Sequence, residues 1–233
     1  MSIKQQIHFL TIVHQSDHCL PSLLRNIESL ALDSCIQICI WILYNGTSNL
    51  YKYRDTITSN TRHNIYIINS ITNLGYSGGN NLLLSHVLSA SKDTEDTAAI
   101  LLNPDILITD ELLAALLHGI YNLNSFAVSP SETSSVDNYT QVDLVNSSRK
   151  KLLSTSYLGF PSSSIVRSKH EYIQSYLLTG ACLAVNLTQL RKHNIFLDSR
   201  LFMYLEEVDL VIQASKHNLL TYVISTITIE HNK

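Results

Sequence analysis

The sequence predicts an α/β fold with a mostly parallel central sheet, and three observations carry that expectation. Four apolar runs bounded by turn residues, "IHFLTIV" (7–13), "IQICIWILY" (36–44), "NIYIIN" (64–69) and "AAILLN" (98–103), read as strands covered on both faces. Segments of helical period separate them. Leu20, Leu23, Leu24, Ile27 and Leu30 share one stripe, as do Leu82, Leu83, His86 and Val87, and again Leu112, Leu113, Leu116 and Leu117. Strands that alternate with helices make βαβ units, so the chain begins as a Rossmann-like half with parallel strands and flanking helices.

From Ser129 to His170 the periodicity fades into a Ser-rich stretch, expected to serve as a lid or acceptor loop. Order resumes with "YIQSYLLTGACLAVN" (172–186), read as a strand pair, and then a short helix. The segment "FLDSRLFMYLEEVDLVIQASKHN" (196–218) and a last strand within "LLTYVISTITIEH" (219–231) follow. A chain of 233 residues, 45% hydrophobic, can bury the core of one large domain, divided here into a first half (1–128) and a second (129–233).

Composition excludes some classes of function. A net charge of −3 gives no basic field to attract nucleic acid. Charged residues are 15% of the chain, against roughly 25% in an average soluble protein, so Ser, Thr, Asn and Tyr supply much of the polar surface. No apolar run approaches the ~18 residues of a membrane span, and "MSIKQQIHFLTIV" lacks a signal peptide's apolar region and cleavage site. A cytoplasmic location is expected. Cys19, Cys35, Cys39 and Cys182 show no CxxC spacing and read as reduced structural thiols.

Parallel sheets bind ligands at the carboxyl ends of their strands. Four polar clusters fall at such ends: "YNGTSN" (44–49), "NLGYSGGNN" (73–81), "NPD" (103–105) and "LEEVD" (205–209). The three glycines of "NLGYSGGNN" fit either a tight turn or a nucleotide cradled by bare backbone N–H groups. A dinucleotide fingerprint would follow the first strand, but "HQSDHCLP" there has no glycine. Asn-Pro forces an extended bend that places Asp105 at the ligand edge. Glu206, Glu207 and Asp209 either complement a helix dipole or supply a general base. His14 and His18 have no third ligand nearby and read as polar surface residues. "SRKK" (148–151), near Tyr157 and Phe160, reads as a solvated charge run that could also touch lipid phosphate.

Taken in order, "TIVHQ", "YNGTS", "NLGYSGGNN", "LLNPD", "LLTGACLAVN" and "FMYLEEVDL" resemble the motifs of family 2 glycosyltransferases of the GT-A fold, in particular the bacterial rhamnosyltransferase-like branch. The resemblance runs from Thr11 to His231. It implies a donor half at 1–128 and an acceptor and catalytic half at 129–233. Tyr44, Asn45, Asn73, Gly75, Gly79, Asn80, Asn103 and Asp105 would then bind a nucleoside-diphosphate sugar. Asp105 and His231 would hold Mg²⁺ or Mn²⁺, and Gly180 and Glu206 would face the acceptor. Glu207 would be the base, with Asp209 as the second candidate. The reaction implied is inverting transfer to a lipid-linked saccharide in bacterial surface-polysaccharide synthesis at the inner membrane face. The sequence departs from the family's pattern at Gln15, Tyr44, Glu207 and Gln213; Tyr44 is expected to stack on the nucleobase. The rival reading is a non-catalytic nucleotide-sugar-binding or assembly protein. A nucleotidyltransferase is disfavoured, because no Gly-rich loop bearing Lys or Arg follows the first strand.

Overall fold

A computed structural model describes residues 5–33, 36–46, 62–90, 97–134 and 165–231. Cys35, "YNGTSN" from Thr47 onward, "SRKK", Tyr157, Phe160 and most of the Ser-rich stretch lie outside the described residues.

In chain order the elements are β1 (Gln5–Val13), a 3-10 turn (Asp17–Cys19), α1 (Leu20–Glu28), β2 (Ile36–Asn45), β3 (Asn64–Ser70) and α2 (Gly75–Ala90). Then come β4 (Thr97–Leu102), α3 (Asp110–Tyr121), β5 (Ala127–Ser134), β6 (Ile165–Arg167) and β7 (Glu171–Gln174). The chain ends with β8 (Cys182–Asn186), α4 (Leu187–His193), α5 (Glu206–Ser215) and β9 (Thr221–His231). Among the described residues the strands form one nine-stranded sheet in the order β3-β2-β1-β4-β8-β5-β9-β7-β6.

The sheet is mostly parallel, as the alternation of strands and helices predicts. β3, β2, β1 and β4 run together, and β5 and β9 share their direction. Only β8 and β7 oppose it. Residues 172–186 are therefore not a strand pair. β8 inserts between β4 and β5, while β7 lies against β9, separated from β8 by the two strands β5 and β9. The segment between them must cross the sheet's end, which brings Thr179 and Gly180 to the edge where the parallel strands finish.

Two cores cover the two faces. Alternate residues of the central strands, such as Phe9, Ile40, Ile100 and Ala184, meet α1 and α3. Their neighbours Leu10, Trp41, Leu101 and Leu183 meet α2, α4 and α5. Burial on both faces explains the unbroken apolar run of β2. β3 differs from the expectation: it pairs only with β2, at the sheet's margin, and its burial alternates along the strand.

β9 has one irregularity that matters for function. Pro130 pairs with Ile224 but Ser131 pairs with Thr228, so β9 carries three extra residues at a bulge. An odd insertion reverses which residues face inward. Tyr222 and Ile224 point into the α1/α3 core before the bulge, and Ile229 does so after it. His231, two residues beyond Ile229, takes that same face.

Candidate active site

The carboxyl ends of β1, β2, β3, β4, β5 and β9 fall on one edge, and the entry to β8 joins them. Two groups of polar residues form there.

The first is a clamp of two side-chain amides and an imidazole. Asn45, buried at the end of β2, donates from Nδ2 to Asn73 Oδ1 (2.9 Å) and to the Gly75 carbonyl (3.2 Å), and its Oδ1 accepts from the Leu74 amide at 2.8 Å. Asn73 Oδ1 also accepts the Gly75 N–H at 2.9 Å. His14 closes the ring: its Nδ1 lies 2.7 Å from the Asn45 carbonyl and its Nε2 lies 3.3 Å from Asn73 Nδ2. The clamp fastens the start of α2 to the end of β2.

The glycines of "NLGYSGGNN" belong to this fastening. α2 begins at Gly75, four residues earlier than a helix starting at Gly79, so the motif is the helix's first turn. Gly75 has φ +69, and a Cβ there would stand 2.3 Å from the Phe202 carbonyl oxygen. Tyr76 N–H donates to that same carbonyl at 2.8 Å. A Cβ on Gly79 would meet Ile12 at 2.7 Å, so that position lets helix and sheet pack closely. What approaches the backbone here is the chain itself, including "FMYLEEVDL". Asn80 is also buried, donating to the Tyr76 carbonyl within α2.

Tyr44 departs from its expected role. It is 1% exposed and lies in the α1/α3 core, because β2 is covered on both faces to its last residues. A ring so placed has no open face for a nucleobase.

The second group is ionisable. Asn103, just past β4, holds its backbone N–H to the Ala181 carbonyl at 2.9 Å. Its side-chain Nδ2 lies 3.1 Å from His231 Nε2. Asp105 Oδ2 is 3.7 Å from that same nitrogen. On the other side of the ring, His231 Nδ1 lies 3.2 Å from Glu132 Oε1. Thr179 Oγ1 donates to Glu132 Oε2 and accepts from the Ala181 amide at 3.2 Å. An imidazole nitrogen and a carboxylate oxygen are suitable donors for Mn²⁺ or Mg²⁺, with phosphate and water completing the shell. Asp105 and His231 therefore fit such an ion as a two-residue site. Among the described residues no group of three or more His, Cys, Asp or Glu is arranged to hold one.

Beside this group stands Glu207, at the start of α5. Its carboxyl rests on Gly180, where an added Cβ would fall 2.0 Å from Oε1. Burial, then the neighbouring Glu206 charge, push its pKa up to about 7, against the pull of the Gly180 N–H. Tyr76 OH donates to the Gly180 carbonyl at 2.6 Å, so this residue is gripped from both sides. Burial and the Glu207 and Glu206 charges hold the Tyr76 hydroxyl well above its ordinary range. Glu206 is 3% exposed, its Oε2 has no hydrogen-bond partner among the described residues, and burial raises its pKa as well. A helical wheel would put Glu206 with Asp209. Instead Glu206 and Glu207 both act on Tyr76, while Asp209 accepts from Gln213 at 2.6 Å and lies by Arg200. α5 is entered through Tyr204 and Leu205, both left-handed (φ 73 and 70), and this entry sets the direction of its first turn.

Three members of this site escape a reading of the sequence. Glu132 sits in a Ser-rich stretch without periodicity, and Thr179 and Tyr76 become visible only when β8 and α2 are placed. The Thr-Gly pair of "LLTGA", between two apolar strands, was the available signal for Thr179.

No protein-family model and no curated protein sequence matches this chain. Solved structures do. The mannosyltransferase PcManGT from Pyrobaculum calidifontis, solved with GDP-Man and Mn²⁺, superposes with TM-score 0.66 at 10% identity over 99% of this chain and 57% of its own. GalNAc-T7 with UDP, GalNAc and Mn²⁺ gives 0.68 at 10% identity, over 99% of this chain and 44% of its own. The fold is GT-A. The S. aureus TarS 1-349 complex with UDP-GlcNAc gives 0.61 at 14% identity, over 98% of this chain and 59% of that one. This GT-A chain thus spans about half the length of the structures it matches. At such identities the likeness shows the fold alone.

Proposed function

We propose that the chain is an inverting glycosyltransferase that takes a nucleoside-diphosphate sugar as donor. The observation that carries this reading is Glu207: a carboxyl held on the Gly180 N–H, with a pKa raised to about 7, on the same sheet edge as Asp105 and His231. A base poised near neutral pH matches proton abstraction from an acceptor hydroxyl. Glu207 takes that proton as the acceptor oxygen forms its bond to the anomeric carbon. The bond from that carbon to the diphosphate oxygen breaks on the opposite side, which inverts the configuration.

Asp105 and His231 would hold Mg²⁺ or Mn²⁺, which would supply positive charge against that developing on the departing diphosphate. Asn103 orients His231, and residues 103–105 form the donor's side of the site. Gly180 and Glu206 form the acceptor's side. Asn45 and Asn73 act by fixing the loop before α2. Residues 1–128 thus work as the donor half and 129–233 as the acceptor half of one domain. The sequence resemblance supports a lipid-linked saccharide acceptor in surface-polysaccharide synthesis at the cytoplasmic membrane face, with rhamnosyl transfer as one specificity. Among the described residues no helix is long and apolar enough to cross a membrane.

Calorimetric titration with nucleoside-diphosphate sugars, with and without Mn²⁺, tests the donor side. Metal-dependent binding that Asp105→Ala abolishes, with folding intact, is expected. Unchanged metal-dependent affinity in that variant removes Asp105 from the site. Binding without turnover in the wild-type chain favours a non-catalytic nucleotide-sugar-binding protein instead.

A further inference from the structure

Tyr76 joins the two pieces of chain on which Glu207 stands. It is the second residue of α2, and its ring packs against the core that α2, α4 and α5 share with the sheet. Its backbone N–H donates to the Phe202 carbonyl at 2.8 Å. Phe202 leads through Tyr204 and Leu205 into α5, whose first residues are Glu206 and Glu207. At the far end of the same side chain the hydroxyl donates to the Gly180 carbonyl at 2.6 Å. One residue of α2 thus grips both the segment that carries Glu207 and the glycine on which the Glu207 carboxyl rests.

A phenol has one hydrogen to donate, and Tyr76 donates it to Gly180. The hydroxyl therefore has none left for the carboxyl beside it, although a Cβ added to Gly180 would meet both Glu207 Oε1 and, at 3.0 Å, the Tyr76 oxygen. The peptide that carries the Gly180 carbonyl is held at its other end too, where the Ala181 N–H donates to Thr179 Oγ1 at 3.2 Å. Glycine turns more freely about φ and ψ than any other residue, so these bonds to the peptide are what restrain Gly180. The Gly180 N–H stays under the Glu207 carboxyl and favours its ionised form, against burial and the charges of Glu206 and Glu132. The other groups that face the Tyr76 hydroxyl are the Asn80 amide and Cys182, whose thiol is pushed up to about 12 by burial and carries no charge at neutral pH.

We infer that Tyr76 is a positioning residue: its hydroxyl pins the Gly180 peptide, and the pinned glycine holds the Glu207 carboxyl in place for the acceptor hydroxyl. The inference rests on the reading of Glu207 as the base and adds the side chain that fixes where the base stands. Phenylalanine would fill the same space in the core, so the ring answers to packing and the hydroxyl to the site. Without the hydroxyl the Gly180 peptide is free to turn, its N–H leaves the carboxyl, and the ionised form loses the one backbone donor that favours it from outside α5.

Tyr76→Phe in the full chain tests it through two measurements. The first is the carboxyl ¹³C titration of the ligand-free protein, with the Glu207 signal assigned by its absence from Glu207→Gln. The second is the pH dependence of turnover with uridine- and guanosine-diphosphate sugars as donors. In Tyr76→Phe the Glu207 midpoint is expected to rise by about one unit, the effect of one backbone N–H on a carboxylate. Turnover at pH 7 should fall by about 10-fold, with part of the loss recovered at higher pH as the carboxyl ionises, and donor affinity should stay within about twofold of wild type. Tyr76→4-aminophenylalanine keeps the ring and an N–H for the Gly180 carbonyl, and should hold the wild-type midpoint and turnover. An unmoved midpoint together with near-normal turnover in Tyr76→Phe overturns the inference, as does equal impairment in both variants, which would assign the effect to packing of the ring. Either result leaves Glu207 standing as the base. Normal turnover in Glu207→Gln overturns the base and the inference together. Should Tyr76→Phe fail to fold, the 4-aminophenylalanine variant carries the test, and a midpoint displaced in it overturns the inference.

Discussion

The two polar groups on the sheet's ligand edge are built on opposite principles. In the clamp of His14, Asn45 and Asn73 the side chains are amides and an imidazole, and Asn45 uses both ends of its amide on partners. Around Gly180 the side chains are carboxyls placed near one another, and Glu206 Oε2 is buried with no hydrogen-bond partner among the described residues. Asn45, buried and paired at both ends of its amide, rigidifies the junction, whereas His14 and Asn73 are exposed. Buried like charges oppose folding, and proteins concentrate them where chemistry needs perturbed acids. On the proposed function, the clamp serves as scaffold and the carboxyl cluster is where the chain gives up stability for reactivity.

Substitutions on the two sides should therefore fail in different ways. The largest effect is expected at Tyr44, on the scaffold side. Tyr44→Ala should cost about 3 to 5 kcal/mol of stability, the range for removing a buried aromatic ring, and should leave the donor affinity of the folded fraction unchanged. Urea unfolding and calorimetry check the pair. A loss of donor affinity without a loss of stability would return Tyr44 to the site.

Gly180→Ala should do the reverse. Its Cβ would press on both Glu207 Oε1 and the Tyr76 hydroxyl, and displacing the base by ~1 Å is enough to lower turnover by about 10²-fold. Thermal stability should change little beside that loss, because the flexible Glu207 side chain can swing away. Asn45→Ala is the smallest of the three. It strands the Leu74 N–H, takes one donor each from Asn73 Oδ1 and the Gly75 carbonyl, and should cost about 2 kcal/mol, with no change in the pH dependence of turnover. A changed pH profile in Asn45→Ala would blur the line between the two regions.

The sequence carried the scaffold better than the site. Apolar runs at strand length and stripes at helical spacing are local signals, so the α/β class and the first four strands were legible. β8 was not, because its insertion between β4 and β5 is decided by partners 80 residues upstream or 50 or more away in sequence. The ligand edge was legible as a set of polar clusters after strands, Asn103 and Asp105 among them, and the structure places His231, expected from the resemblance, beside these two. The glycines were harder to assign. A glycine that admits a ligand and one that admits Phe202 or Ile12 look alike until the fold says what stands opposite. Glu132 gave no signal at all, since its role depends on an odd-length bulge in a strand almost 100 residues later.

The central claim is that Glu207 is the base, and the pH dependence of its removal tests that most directly. Because burial raises its folded pKa to about 7, the carboxyl is protonated and inactive below that pH and ionised above it. Wild-type kcat/KM should accordingly climb through pH ~7 as Glu207 loses its proton, measured with whichever donor binds in the calorimetric screen and an alkyl-linked saccharide acceptor. Glu207→Gln should lose at least ~10² in turnover and lose this rise with pH, while donor affinity stays within twofold of wild type. Near-normal turnover in Glu207→Gln, or the same rise through pH ~7 in that variant, would contradict the assignment, and a dead Asp209→Asn beside it would move the base to Asp209.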